Sequence, residues 1–294
     1  MSSTKDYLNL HFVVFLWGFT AILGKLVTIP PVEMVFYRTL LAAFGMGALM
    51  LARRESFGVS GTDVIKLLLT GSVVAMHWLT FFVSINISNP STALVGFATC
   101  SLWAALLEPI VKRQKIQIVE VLLGVVVMAG LYIIFSFDFQ YPLGLFFGIL
   151  SGVTVAIFGV INSLFVKRMR SSVITFYEMS GACLSIALFF PYYQTNLTPD
   201  GQLHLNPPAI DWLWIAILAF VCSVYAYAVS IELMKRLSVF FIQLSLNLEP
   251  VYGIILALLI FGKSEVMAWT FYLGTAIIIA AVLTYPLLKS KRVA

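Results

Sequence analysis

The chain has 294 residues, of which 61% are hydrophobic and only 11% charged. A soluble domain carries about 25% charged residues, so this chain lacks the charge to clothe a water-facing surface, and lipid is the solvent it implies. The net charge of +5 does not point to nucleic acid, because the basic residues stand in short clusters between apolar runs, the pattern of membrane orientation.

A helix needs about 20 apolar residues to cross the hydrocarbon core. Residues 7–24, 139–166, 212–231 and 266–288 contain no Asp, Glu, Lys or Arg. Residues 67–107 contain none either, and Asn86-Ile87-Ser88-Asn89-Pro90 splits that run as a turn. The expected fold is all-α. It has ten transmembrane helices over roughly 8–25, 32–52, 64–86, 91–111, 118–136, 142–166, 172–193, 211–232, 237–261 and 266–288. The longest connection, 194–210, is too short for a catalytic domain. The first apolar run lacks a small-x-small cleavage site and reads as the first span rather than a signal peptide.

Cys100, Cys183 and Cys222 lie inside apolar runs, are odd in number and show no metal spacing. They read as packed thiols, so no disulfide, metal or cofactor is expected. With the N-terminus inside, the inner ends carry 15 Lys and Arg residues. These include Arg53, Arg54, Lys66, Lys112, Arg113, Lys115, Lys167, Arg168, Arg170, Lys235 and Arg236. Only Lys25 and Lys263 fall outside. Both termini are expected in the cytoplasm of a multi-pass protein of the cell (inner) membrane.

An internal repeat accompanies the even span count. A shift of 141 residues places Trp17-Gly18 on Phe158-Gly159 and Tyr37-Arg38 within one residue of Tyr177-Glu178. Past the long outer loop the shift becomes 149. There Ser88 meets Leu237, Ser101 meets Pro250 and Gly124 falls within one residue of Gly274. Pairing Glu108-Pro109 with Glu249-Pro250 at 141 ignores the loop insertion. Residues 1–137 and 138–294 thus read as two five-helix repeats, and an odd number of spans per half makes them inverted, as in secondary transporters.

These features resemble the EamA-type members of the drug/metabolite transporter superfamily. The resemblance rests on the two five-helix halves, on Phe15-Leu16-Trp17-Gly18, on Tyr37-Arg38, and on Leu248-Glu249-Pro250-Val251-Tyr252 leading to Phe261-Gly262. It implies ATP-independent export of amino acids or related small metabolites. The chain departs from the pattern at Ser101, where a second midspan proline is expected. Without it, proline gives no reason for the first half to bend as the second does.

Polar groups in hydrocarbon usually face the bundle interior. Glu249 stands mid-span, and Pro250 removes a backbone donor, which makes it the expected helix break and frees the Leu246 carbonyl. Gln243, Asn247 and Pro250 share a helical stripe. Glu249 is expected to hold a substrate cation or exchange a proton, and a hydrogen-bonded kink is the plain alternative. Arg38 either reaches Glu249 or a substrate carboxylate, or snorkels toward Glu33. Glu178 is expected in an ion pair with an inner-loop cation. His77 and Trp78, matched by Ala226 and Tyr227, suggest an aromatic cavity wall. There His77 is either a lining group and proton carrier or a satisfied core histidine. Trp17, Trp103 and Asn162 are further cavity residues, with plain packing as their alternative.

Glu108 and Lys112 read as an interfacial helix pair. Gly144, Gly148 and Gly152 form a small-residue face for a contact within the bundle or a dimer seam, leaving monomer or homodimer open. The leading function is an alternating-access carrier for a small molecule, with proton coupling or exchange at Glu249 and His77. An exporter of drugs or organic cations is the alternative substrate class. An intramembrane enzyme lacks any H-E-x-x-H, G-x-S-x-G or paired acids. A channel lacks a continuous polar lining.

Overall fold

The computed structural model describes residues 3–88, 90–135, 141–252 and 269–290, which are helical and contain no strand. Helices α1 (Thr4–Gly18) and α2 (Thr20–Leu26) form the first apolar segment. They are followed by α3 (Pro31–Ala52), α4 (Gly61–Ile87), α5 (Pro90–Phe97), α6 (Cys100–Val111) and α7 (Ile118–Phe135). The second half begins with α8 (Pro142–Phe165) and α9 (Ser171–Asn196). Next come α10 (Ala209–Ile217), a π-helical stretch (Leu218–Tyr225) and α11 (Ala226–Leu233) in one continuous rod. Then follow α12 (Val239–Leu246) and α13 (Trp269–Ser290).

Among the described residues, 8 helical segments are long and apolar enough to cross a membrane, and Ile118–Ile134 is a shorter one. The expected ninth span is represented by α12 and a helical turn that restarts at Glu249. Its remainder, with Phe261-Gly262, lies outside the described residues, as do Lys263, Asn89, Lys291 and Arg292.

Side-chain contacts give the helix directions. Beside α12, α1 runs parallel: Tyr7 meets Phe241 at 5.5 Å between ring centroids, and Phe15 meets Tyr252 at 5.9 Å. Opposite α6, α12 runs antiparallel: the Phe240 amide donates to Glu108 Oε2 (2.9 Å), and Asn247 Nδ2 donates to Ser101 Oγ (3.4 Å). The α5–α6 segment runs parallel to α8, with Gly96 against Gly148 and Thr99 against Gly152. The first helices of the two halves, α1 and α8, therefore point in opposite directions. Packing follows the same exchange. Helix α4 lies on α8 and α9, the α10–α11 rod lies on α1 and α3, and α3·α9 and α7·α13 pair across the halves.

Two breaks interrupt matching helices. The first lies at Ala98–Thr99 between α5 and α6, the second at Asn247–Leu248 after α12, and they are separated by the shift of 149 residues, not 141. The first half therefore bends as the second does, although Ser101 stands where a proline is expected. Pro250 is not the break itself, since it stands in the first turn of the helix resumed at Glu249. Backbone N–H groups there have no intrahelical partner, so a proline costs nothing and Ser101 serves equally well in the matching turn of α6. The break also takes Gln243, Asn247 and Pro250 off one continuous stripe.

Gly144, Gly148 and Gly152 face Ser88, Ala93 and Thr99, so this small-residue face is used within the chain. Glu108 and Lys112 pair at 2.6 Å as expected. Glu108 Oε2 additionally accepts the Phe240 amide at the start of α12, a favourable place for a carboxylate at a helix N-terminus.

The basic loops gather at one end of the bundle. Arg168 forks onto Asp63 (2.8 and 3.2 Å), Arg236 meets Asp6 at 2.8 Å, and Lys112, Lys167 and Lys235 border one surface hollow. At the other end Asp211 Oδ2 accepts from the Thr28 amide and hydroxyl (both 2.8 Å), and the His204 amide donates to Glu33 Oε1 (3.1 Å).

Candidate functional site: a cavity between the halves

A cavity lies between the two halves. Trp17, Arg38, His77, Trp78, Tyr227 and Glu249, all singled out from the sequence, border it together. Asn247, Asn162 and Trp103 do not. Asn247 sits in the second helix break, where Nδ2 donates to the carbonyls of Gln243 and Leu244 (both 3.3 Å). Asn162 is buried behind the wall, bonded to Glu178 and Tyr227. Trp103 Nε1 donates to Thr99 Oγ1 on its own span (3.2 Å).

Arg38 is buried, so it does not snorkel toward Glu33. Its Nε donates to Ser223 Oγ (2.8 Å), and its guanidinium lies 4.0 Å from the centre of the Trp78 ring. The rod supplies Ser223 by a local irregularity: the Ser223 hydroxyl donates to the carbonyl of Leu218 five residues back (3.0 Å), within the π-helical stretch. Such bulges re-aim side chains and recur at functional sites. Arg38 keeps donors in hand, and no carboxylate oxygen lies within 4.0 Å of it among the described residues. Glu249 shares the cavity wall with Arg38 without touching it.

His77 lines the cavity and is also held in place by the neighbouring helix. Its Nδ1 lies 3.1 Å from the Ser151 carbonyl oxygen and 2.8 Å from Ser151 Oγ, both on α8. The carbonyl requires a proton on Nδ1. Phe97 and Phe158 each stand 5.7 Å from the His77 ring.

Glu178 departs from expectation: no cation reaches it among the described residues. Its Oε2 accepts from the Tyr227 hydroxyl (2.7 Å) and Asn162 Nδ2 (3.1 Å). Its place along α9 explains the miss, because lysines and arginines of the basic loops pair with Asp6, Asp63 and Glu108 at the bundle end.

Sequence reasoning missed Phe81, Phe82 and Phe97 on the wall, and Gln243, named only for its helical stripe, joins them there. The repeat carried the signal for most of them. At a shift of 149 Trp78 pairs with Tyr227, Phe81 with Ser230, Phe82 with Ile231, and Phe97 with Leu246; at 141 Trp17 pairs with Phe158. Every member of these pairs borders the cavity.

The sequence pattern described as the EamA-like transporter family matches twice, over residues 5–136 and 142–285, so each half carries one copy. The chain belongs to the EamA-like transporter family. No curated protein matches it at the level of sequence. A solved structure described only as the crystal structure of a protein is similar to this EamA-like chain at 17% identity. Their TM-score is 0.77 over 98% of this chain and 99% of that one, which shows a shared fold.

Proposed function

We propose that this EamA-like protein is a secondary carrier that exports amino acids or related small zwitterions by alternating access. The reading takes ten spans in two inverted five-helix halves, with both termini cytoplasmic in the cell (inner) membrane. The clustering of basic loops at one bundle end supports that orientation.

One observation carries the proposal: about half of the cavity wall consists of pairs of positions that exchange when the halves exchange. Two halves of opposite direction that share one pocket can rock about it and open it to either side in turn. Arg38 supplies a guanidinium that meets no carboxylate among the described residues and is suited to one on a substrate. Glu249 on the same wall suits an amine, and the aromatic rings leave room for an apolar side chain. An organic cation is the weaker substrate class, because the Trp78 face that would hold it already carries the Arg38 guanidinium.

Counterflow of labelled amino acids into liposomes tests the reading. Hydrogen bonds to charged groups contribute about 1.5–3 kcal/mol, so Arg38→Ala and Glu249→Gln should each lower flux roughly 10–100-fold. Absence of counterflow with any zwitterion, or full flux in both variants, rejects it.

A further inference from the structure

Behind the cavity wall lies a carboxylate that substrate binding leaves unused. Glu178 of α9 is fully buried, as is Asn162 of α8. The two groups bonded to Glu178 Oε2, the Tyr227 hydroxyl and Asn162 Nδ2, are both neutral, and Asn162 Nδ2 also reaches the Tyr227 oxygen (3.1 Å). Glu178 Oε1 and Asn162 Oδ1 are buried without a hydrogen-bond partner among the described residues.

Among the described residues the surrounding helices supply no counter-charge. At this level α11 brings Tyr227, α8 brings Asn162, and α4 brings the backbone at Gly71. The ionisable groups of the cavity are Arg38 on α3, His77 on α4 and Glu249 beyond α12, and none of them bonds to Glu178. Burying an unpaired ion costs several kcal/mol even after relaxation, and such a group neutralises instead. A single proton resolves the site, because it removes the charge and converts one acceptor oxygen into a donor. An alkali cation would require a fuller oxygen shell than the two free oxygens provide.

We propose that Glu178 is a proton-binding site of the carrier, loaded in this conformation and emptied when the wall opens at Tyr227. Tyr227 separates the two compartments: its ring lines the cavity beside Phe158 (6.0 Å), and its hydroxyl sits on the carboxylate. The π-helical stretch ends two residues before Tyr227 and carries Ser223, the partner of Arg38. A ligand carboxylate that draws on Arg38 therefore pulls on the segment that positions Tyr227. When water enters past a displaced Tyr227, it accepts the proton of the carboxylic acid and hydrates the carboxylate left behind. The exchange step rests on the carrier reading, whereas the proton site stands on Glu178 and its neighbours alone.

Infrared difference spectroscopy of the purified protein at neutral pH tests the site without any substrate. The C=O stretch of a protonated carboxylic acid should be lost in Glu178→Gln and kept in Glu249→Gln. It should move to higher wavenumber in Tyr227→Phe, which removes the hydroxyl donor. No band difference between wild type and Glu178→Gln overturns the site. Where that variant does not fold, an unmoved band in Tyr227→Phe overturns it. In liposomes the ratio of flux with a proton gradient to flux without one should fall to unity in Glu178→Gln, and a ratio equal to wild type overturns the exchange step. A wild type that moves no substrate sinks the carrier reading, while the infrared band still decides the proton site.

Discussion

The two halves reach the same architecture by different local chemistry. In the first half the break at Ala98–Thr99 contains no proline: the Thr99 hydroxyl donates to the Gly96 carbonyl (2.7 Å), and Ser101 Oγ donates to the Ala98 carbonyl (3.3 Å). In the second half an asparagine side chain spans the loosened carbonyls of Gln243 and Leu244. The two breaks also serve one another, because Cys100 Sγ lies 3.8 Å from the Gln243 carbonyl oxygen and Asn247 Nδ2 reaches Ser101. In hydrocarbon every backbone group must find a partner within the protein. An interrupted helix is tolerated at this crossing because each half supplies donors to the other.

A second contrast concerns spacing. Helix α4 presses onto α9, with Gly71 against the Glu178 backbone and Gly181 against the backbone of Leu68. At the position matching Gly71 the second half has Phe220, whose ring covers Gly45 of α3. The position matching buried Val74 is Ser223, the partner of Arg38. Tight regular packing in one half thus corresponds to a wider, π-helical contact in the other. Ser223 of that irregular half anchors Arg38 of the first, so pseudo-symmetry builds much of the cavity and a departure from it fixes its buried cation.

The largest expected effect separates the tight contact from the loose one. A methyl at Gly71 meets backbone that cannot yield, so Gly71→Ala should destabilise by about 1–3 kcal/mol. Gly45→Ala meets only the half-exposed Phe220 ring, and the better helix propensity of alanine, up to about 1 kcal/mol, should leave it near neutral. Thermal unfolding in detergent checks both, and equal losses would erase the distinction. Next come the break residues. Asn247→Ala strips a donor from two buried carbonyls and should cost about 1–3 kcal/mol, against about 0.5–1.5 kcal/mol for Thr99→Val. A reversed order in the same melts would show that the second break does not lean on its asparagine. The smallest effect belongs to Pro250→Ser, which gives the second half the residue found in the first. Its stability should change by less than about 1 kcal/mol, because a first-turn amide has no intrahelical partner to lose. A collapse of folding in that variant would restore proline as the cause of the break.

Much of the site was legible before its geometry was known. Glu249, Arg38, His77, Trp78, Tyr227 and Trp17 could be chosen because polar and aromatic groups in mid-span rarely face lipid, and all six border one cavity. Asn162 and Asn247 passed the same filter but bond to other helices, and Trp103 bonds within its own span, since a polar residue in hydrocarbon is equally well explained by any internal partner. The partners of Glu178 were illegible, because Asn162 and Tyr227 lie 16 and 49 residues away from it along the chain.

Hydropathy and period by themselves determined that this chain lies in lipid, that it is helical and that it carries a repeat, because the bilayer penalises every unburied polar group wherever the chain turns. Tertiary structure alone decided which polar groups meet. It placed a serine opposite Arg38, a tyrosine and an asparagine on Glu178, and a break at Ala98–Thr99 without a proline. Each of these depends on contacts between helices distant in sequence, and local composition carries no record of which helix will stand beside which.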